Sequence, residues 1–500
     1  MTYTSDSKKR TIMYNDDGGT AIYLPHPYPM TLGQYYDCVD QLLGTQVDTY
    51  VLCIGETTHH EAGGEIQKPE TTNREAHWRG SHNWSHLEGL GIHPPTALLD
   101  RAKDKGLEAI ASLRMNDAHF AYSPEGPEAP GQASQFWLEN RECRIDPTVD
   151  TSKVLRGTAE WPLVLYDYSH PLVQQLFLDI IDRTFERCDA DGLELDFMRH
   201  PYYFKPEDAP GKLDVMTDLL KRARRRLDEI GRERGRAMAL GVLVPAVPDR
   251  AREIGLDVLT WIEKGLVDYV VPKHFIRFLM DVPVGEYLAA SQGTSTQVYA
   301  CLENWPPPEA GEPIASFRGA AAGYLDAGAD GIYVYNYFNH RPHPHTKADR
   351  RILQEIGDPE LMRRKDKRFA LTAAEPEDGY QLPMEITGDH TINFVLGDDT
   401  RSAADEWSLL SARLRLEFSE LVVEEDQLDF ELNGAPLAAE KLESPYDFAH
   451  MTYKWVEYDL TQGPLPLRGA NELHITLKRR CPGVSTPLTL IGMEIFTSYR

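Results

Sequence analysis

The sequence predicts an α/β protein: a TIM (β/α)8 barrel over residues 1–360, followed by an all-β, jelly-roll-like sandwich over residues 361–500. Two observations carry this. Between residue 10 and about residue 355, eight short apolar runs alternate with amphipathic helical segments, the repeat of a barrel with some long loops. Beyond the charged "MRRKDKR" (362–368) the apolar period falls to two and turn residues separate the runs. A chain of 500 residues is also too long for one ordinary domain.

The strands are read at "TIMY" (11–14), "TYVLCI" (49–54), "EAIASLRM" (108–115), "GLELDF" (192–197), "AMALGVLV" (237–244), "DYVVP" (268–272), "TQVYACLE" (296–303) and "GIYVYNYF" (331–338). Between them, "HPLVQQLFLDIIDRTFERC" (170–188) spaces Leu172, Leu176, Ile180 and Phe185 roughly helically. The segments 215–231 and 315–328 read the same way. A doubly wound open sheet would be expected to carry a Gly-rich first turn, and "NDDGG" is not G-x-G-x-x-G. The connections 57–95 and 116–165 are too long for plain loops and read as lids or binding loops; they hold His59, His60, His77, Trp78, His82, Trp84, His86 and Trp137. In the second unit, "ARLRLEF" (412–418), "LDFEL" before Asn433-Gly434, "YKWVEYDL" (453–460), "ELHITL" (472–477) and "LTLIGMEIF" (488–496) alternate, and Asn-Gly predicts a hairpin.

A net charge of −26 argues against nucleic acid as a partner. No apolar stretch approaches the ~20 residues that span a bilayer, so no membrane partner is expected. The start has no apolar core of leader length, which suits a cytoplasmic protein, or a secreted or periplasmic one from which a leader has been cleaved. The six scattered cysteines read as reduced buried thiols rather than as disulfides or a zinc site.

Strand alternation points the side chains. In "DGLELDF", Leu193, Leu195 and Phe197 face the outer helices, while Gly192, Glu194 and Asp196 face the barrel axis, Asp196 at the rim. By the same reading Tyr299, Cys301 and Glu303 point inward, with Glu303 at the rim. Tyr333, Tyr335 and Tyr337 also point inward, as do Arg114 and Asn116, with Asp117 following in the loop. Buried acids and bases are unfavourable unless paired. For Glu194 an ion pair with Arg114 is as good a reading as a functional one. Rim carboxylates on different strands are how barrel enzymes build a site, which favours catalysis for Asp196 and Glu303.

Two carboxylates at a barrel mouth among aromatic rings suit glycoside hydrolysis. Asp196 would be nucleophile or base and Glu303 the general acid, with Asp117 in reserve for either role. Trp305, directly after Glu303 and Asn304, suits a sugar platform or a packed loop ring. Arg114, Arg199, His200, Lys273 and His274 fall at strand ends of an acidic protein. They either meet an anionic sugar, uronic or sulfated, or neutralise the site acids.

The stretch "DYSHPLVQQLFLDIIDRTFERCDADGLELDFMRHP" (167–201), with "LRMNDAH" (113–119), resembles the glycosyl-hydrolase-like family 10 group of bacterial barrels. The resemblance implies a (β/α)8 barrel, a carbohydrate substrate and Asp196 as the strand-4 acid, with an Arg/Asn/Asp cluster on strand 3. Read from their places in and after the strands, Arg114, Asn116, His119, Glu194, Arg199, His200, Lys273, His274, Trp305, Tyr333 and Tyr335 are the expected sugar contacts, and no cofactor or metal is expected. Where many relatives have an Asp-Asp-Tyr run, this chain reads "ELDFMR", which leaves the substrate class open.

Rival readings use the same residues. Lys273 at the end of strand 6 would suit a Schiff-base lyase. A polysaccharide lyase would use Tyr202 or His200 as base beside Arg199. The histidines of "NHRPHPH" (His340, His343, His345), with His59 and His60, would suit a metal site. A non-catalytic glycan-binding scaffold is the reading from outside enzymology. The sequence leaves the oligomeric state open.

Overall fold

The computed structural model describes residues 9–16, 26–56, 75–117, 133–151, 154, 158–274, 278–303, 313–337, 349–372, 380–437 and 453–500. His119 and Trp305 lie outside the described residues, as do His59, His60, His340, His343 and His345.

Eight strands form a closed barrel: β1 (Ile12–Asp16), β2 (Val47–Glu56), β3 (Glu108–Arg114), β4 (Gly192–Asp196), β5 (Ala239–Pro245), β6 (Tyr269–Lys273), β7 (Gln297–Glu303) and β8 (Gly331–Tyr335). Each pairs in parallel with the next, and β8 closes on β1. All eight strands fall on the predicted runs. The helices longer than ten residues are α1 (Glu75–Gly89), α2 (Pro94–Asp104), α3 (Pro171–Arg187), α4 (Leu213–Arg234) and α5 (Pro313–Asp326).

Helices α3 and α4 start or stop for local reasons. Pro171 at the first turn of α3 has no N–H to leave unsatisfied, and Gly235 takes φ 68° just past α4. The buried face of α3 is Val173, Leu176, Phe177, Ile180, Ile181, Thr184 and Phe185; Leu172 is 52% exposed and does not belong to it. Residues 57–95 are not loop throughout, since they contain α1 and the start of α2. The described residues of the 116–165 connection include a short α-helix (Gln135–Glu139) and two 3-10 turns (Arg141–Cys143 and Trp161–Val164), with Trp137 buried under the Arg144 guanidinium 3.4 Å from its ring.

Leu193, Leu195 and Phe197 join the large core between strands and helices, whereas Met13, Val51, Ile110, Leu243, Val271, Tyr299, Cys301, Tyr333 and Tyr335 fill the barrel. The Tyr269 ring fits because the facing position is glycine: a Cβ on Gly241 would lie 1.9 Å from that ring. At the bottom, Arg10 forks onto Glu108 (2.6 and 2.9 Å) and reaches Gln297 (3.1 Å), closing the barrel with a paired charge.

The C-terminal strands form two antiparallel sheets around a second hydrophobic core. One contains β9 (Lys367–Thr372), β10 (Met384–Glu385), β12 (Leu409–Ser419), β15 (Tyr453–Asp459) and β17 (Thr489–Tyr499). The other contains β11 (Asp389–Leu396), β13 (Gln427–Leu432), β14 (Ala435–Pro436) and β16 (Gly469–Arg479). Asn433 and Gly434 both have positive φ (51° and 77°), and their turn joins β13 to β14 as the Asn-Gly signal predicts. The sheets meet the barrel along α5. A Cβ on Gly319 would lie 1.8 Å from the Arg368 carbonyl, and one on Gly397 would lie 2.1 Å from the Ala322 carbonyl. Arg368 donates to Ser316 (3.2 Å), and Arg468 pairs with Asp326 (2.7 Å).

Among the described residues no helix is long and apolar enough to cross a membrane. All six cysteines are free.

Candidate active site

Strand geometry brings five charged side chains to one end of the barrel. Arg114, Asp196, Lys273 and Glu303 are the last residues of β3, β4, β6 and β7, and Asp117 follows β3 by three positions. All five are buried. Tyr335 ends β8 and stacks over Tyr333 with ring centres 6.5 Å apart.

Asp196 and Glu303 belong to one continuous network. Oδ1 of Asp196 accepts from the Met198 backbone N–H (2.7 Å), and Oδ2 accepts from the Tyr335 hydroxyl (3.3 Å). The Lys273 ammonium sits 3.6 Å from the centre of the same Tyr335 ring and donates to Glu303 (2.8 Å). The amide of Asn336 donates to the other Glu303 oxygen. Burial pushes the Glu303 carboxyl above its ordinary range, against the pull of Lys273 and Asn336. Burial works to lower the Lys273 ammonium, but Glu303 beside it keeps it above the ordinary lysine value.

Asn336 was not legible as a site residue. It has φ 53°, the left-handed conformation that asparagine tolerates better than most residues. That kink ends the alternation of β8. Asn336 therefore turns inward to Glu303, and Tyr337, expected inside, packs outward edge-on against Phe317 of α5 at 5.7 Å.

Glu194 lies one layer deeper and is fully buried. The Arg114–Glu194 ion pair does not form. Glu194 instead accepts from the hydroxyls of Ser112 (2.8 Å), Tyr333 (2.8 Å) and Tyr269 (3.0 Å). Burial pushes its carboxyl up to about 7, with those donors opposing the rise. Asn15, the penultimate residue of β1, donates to the Tyr333 hydroxyl at 2.7 Å.

Arg114 turns to Asp117 instead (3.0 Å). Arg199 (3.8 Å) and His200 (3.3 Å) approach the same carboxylate, and Trp161 stands edge-on to His200 at 4.8 Å. Asn116 was expected to face a sugar, but its amide is committed to the chain. It donates to the Tyr166 (3.0 Å) and Tyr202 (2.7 Å) carbonyls and accepts from the Tyr166 N–H. Its role is to tie the 116–165 connection to the segment after β4. His274 meets Tyr380 edge-on at 6.1 Å, so a residue from beyond β9 reaches the end of β6. Among the described residues no group of three His, Cys, Asp or Glu side chains is arranged to hold a metal ion.

No protein-family model and no curated protein matches the chain. Among solved structures, a noncanonic maltogenic α-amylase from Thermotoga neapolitana aligns over 93% of this chain and 99% of its own, at 10% identity and a TM-score of 0.41. A cycloisomaltooligosaccharide glucanotransferase from Paenibacillus sp. aligns over 98% of this chain at 11% identity and a TM-score of 0.35. This chain spans 58% of that enzyme's length. A GH36 α-galactosidase from Geobacillus stearothermophilus aligns over 94% of this chain and 56% of its own, at 11% identity and a TM-score of 0.37.

Proposed function

We propose that the protein is a glycoside hydrolase acting on an oligo- or polysaccharide at the C-terminal end of the barrel. The observation that carries this reading is the network joining two buried rim carboxylates, Asp196 of β4 and Glu303 of β7, through Tyr335 and Lys273.

In this mechanism Glu303 gives its proton to the leaving oxygen. Burial, which raises its proton affinity, suits it to that task. Asp196 meets the opposite side of the sugar ring as nucleophile or as base for water. Its two oxygens are fixed by the Met198 N–H and the Tyr335 hydroxyl, so it is oriented before substrate arrives. Lys273 responds to charge on Glu303 once the proton has left. Asp117 holds Arg114, Arg199 and His200 together, which suits it to organise the site rather than to exchange a proton.

Lys273 faces Glu303, and among the described residues Arg114, Arg199 and His200 share the one Asp117 carboxylate, an arrangement that suits an anionic sugar as well as a neutral one. The Schiff-base alternative fits less well. A lysine held protonated by Glu303 has no free electron pair for a carbonyl.

The test is turnover of a panel of p-nitrophenyl glycosides and neutral, uronic and sulfated oligosaccharides, with products read by mass. Asp196→Asn and Glu303→Gln should each lower kcat by about 10²–10⁴ while leaving a folded protein. Retention of full turnover by both variants would remove this assignment. Retained ligand binding without any turnover in the wild type would favour a glycan-binding scaffold.

A further inference from the structure

Asn15 stands inside the barrel with half of its amide unused. It is 3% exposed, and its Nδ2 donates to the Tyr333 hydroxyl at 2.7 Å. Its Oδ1 is buried and has no hydrogen-bond partner. A buried acceptor left in that state is unfavourable, and native structures keep few of them.

The orientation of this amide follows from the groups below it. The Tyr333 hydroxyl gives its proton to Glu194 Oε1 (2.8 Å), so it has only a lone pair to offer Asn15. Asn15 must therefore present its NH2 to Tyr333 and turn Oδ1 away. Glu194 is itself held by Ser112 and Tyr269, so the whole column is anchored. Tyr333 in turn stacks on Tyr335, whose hydroxyl meets Asp196. The open acceptor thus belongs to the same interior as the rim carboxylates, one strand over from Tyr335.

We propose that Asn15 Oδ1 is a built acceptor for one hydroxyl of the sugar ring, making Asn15 a specificity-determining residue positioned by Tyr333 and Glu194. The proposal rests on the carbohydrate reading above and adds to it a hydrogen-bond donor required on the substrate. Sites that hydrogen-bond a substrate hydroxyl discriminate strongly against the analogue lacking it, because the buried acceptor is then left bare.

The experiment uses the full chain and the p-nitrophenyl glycoside that the wild type cleaves best, together with its monodeoxy analogues. In the wild type one analogue should lose about 10- to 100-fold in kcat/KM. In Asn15→Ala the parent glycoside should fall by a similar factor, and that analogue should fall no further, so the discrimination collapses towards one. A purely structural role would lower all substrates alike and keep the wild-type ratio, which overturns the proposal. Should Asn15→Ala not fold, Tyr333→Phe serves: it keeps Asn15 but removes the hydroxyl that turns its amide, and the same ratio should shrink. An unchanged ratio there overturns the proposal equally. If the wild type cleaves no glycoside, the carbohydrate reading fails and this inference falls with it. If it cleaves but Asn15→Ala discriminates normally, only the Asn15 assignment fails.

Discussion

Removing the Lys273 ammonium should expose how far the site depends on one buried ion pair. Lys273 and Glu303 are 4% and 2% exposed and 2.8 Å apart. Lys273→Met keeps the stem volume and deletes the charge, leaving Glu303 with only the Asn336 amide. Breaking one side of a buried pair destabilises by about 3–5 kcal/mol, whereas replacing both sides is far milder. For roughly 350 cooperatively unfolding barrel residues, an unfolding entropy near 0.7 kcal/mol per kelvin converts this to a fall in Tm of about 4–7 °C. The double variant Lys273→Met with Glu303→Gln should recover much of that loss, since no lone charge remains. The pH dependence has a definite sign. Burial already raises the Glu303 carboxyl, and without Lys273 nothing cationic opposes it at contact distance. The folded state then favours the protonated acid, so the single variant should lie closest to wild type below the ordinary glutamate range and lose stability as pH rises. The assay is thermal and urea unfolding of the wild type, both singles and the double at pH 5 and pH 8. Strictly additive losses, or a Lys273→Met penalty that does not grow with pH, would refute the coupling.

Three further outcomes follow from other parts of the barrel. Burial holds Glu194 near 7 against an ordinary 4.5, so its contribution to stability is full below about pH 4.5 and is lost as pH rises through 7. Glu194→Gln should flatten that part of the stability–pH curve, by on the order of 3 kcal/mol across the window. Gly241→Ala puts a methyl 1.9 Å from the Tyr269 ring, and by forcing that ring off Glu194 it should destabilise by about 1–3 kcal/mol in urea titrations. Arg10→Met takes the forked guanidinium from the buried Glu108, leaving the Thr49 hydroxyl (3.1 Å) on it, and should lower stability by about 3–5 kcal/mol; a loss under 1 kcal/mol in unfolding curves would contradict the buried pairing.

The barrel was readable because buried parallel strands are compact apolar runs, and each of the eight stood out against amphipathic neighbours. Alternation then pointed Glu194, Asp196, Glu303, Tyr333 and Tyr335 inward correctly, since the pleat fixes sides regardless of what surrounds the strand. It failed where the backbone left the pleat. Tyr337 faces outward because Asn336 takes a left-handed turn that no two-residue period anticipates. Alternation also gives sides without partners. Arg114 shares a face with Glu194, yet a long side chain at the rim reaches forward to Asp117, while Glu194 takes hydroxyls from β3, β6 and β8 that are far apart in sequence. Asn116 was misjudged for a related reason: nothing local marks an amide that two distant backbone carbonyls will claim. In the second unit β12, β13, β15, β16 and β17 were evident from alternation. β9 was hidden in the charged run that marks the change of texture, and the two-residue β10 is too short to show a period. β11, "DHTINFVL", also went unread.

The close main-chain approaches at Gly319 and Gly397, where the β sheets meet α5, have a bearing on how the site keeps its shape. Among the described residues α5 lies between β7, which ends in Glu303, and β8, which ends in Tyr335. Besides the Arg368 and Arg468 side chains that reach it, the β sheets grip it by close main-chain approach at Gly319 and Gly397, positions where any larger residue would collide. The β sheets therefore act as a splint on the helix that spaces an acid from the tyrosine steadying the other. A chain cut after the barrel would bare that glycine-lined flank and free the helix to slide, and the two carboxylates would lose their common ruler although neither had been touched.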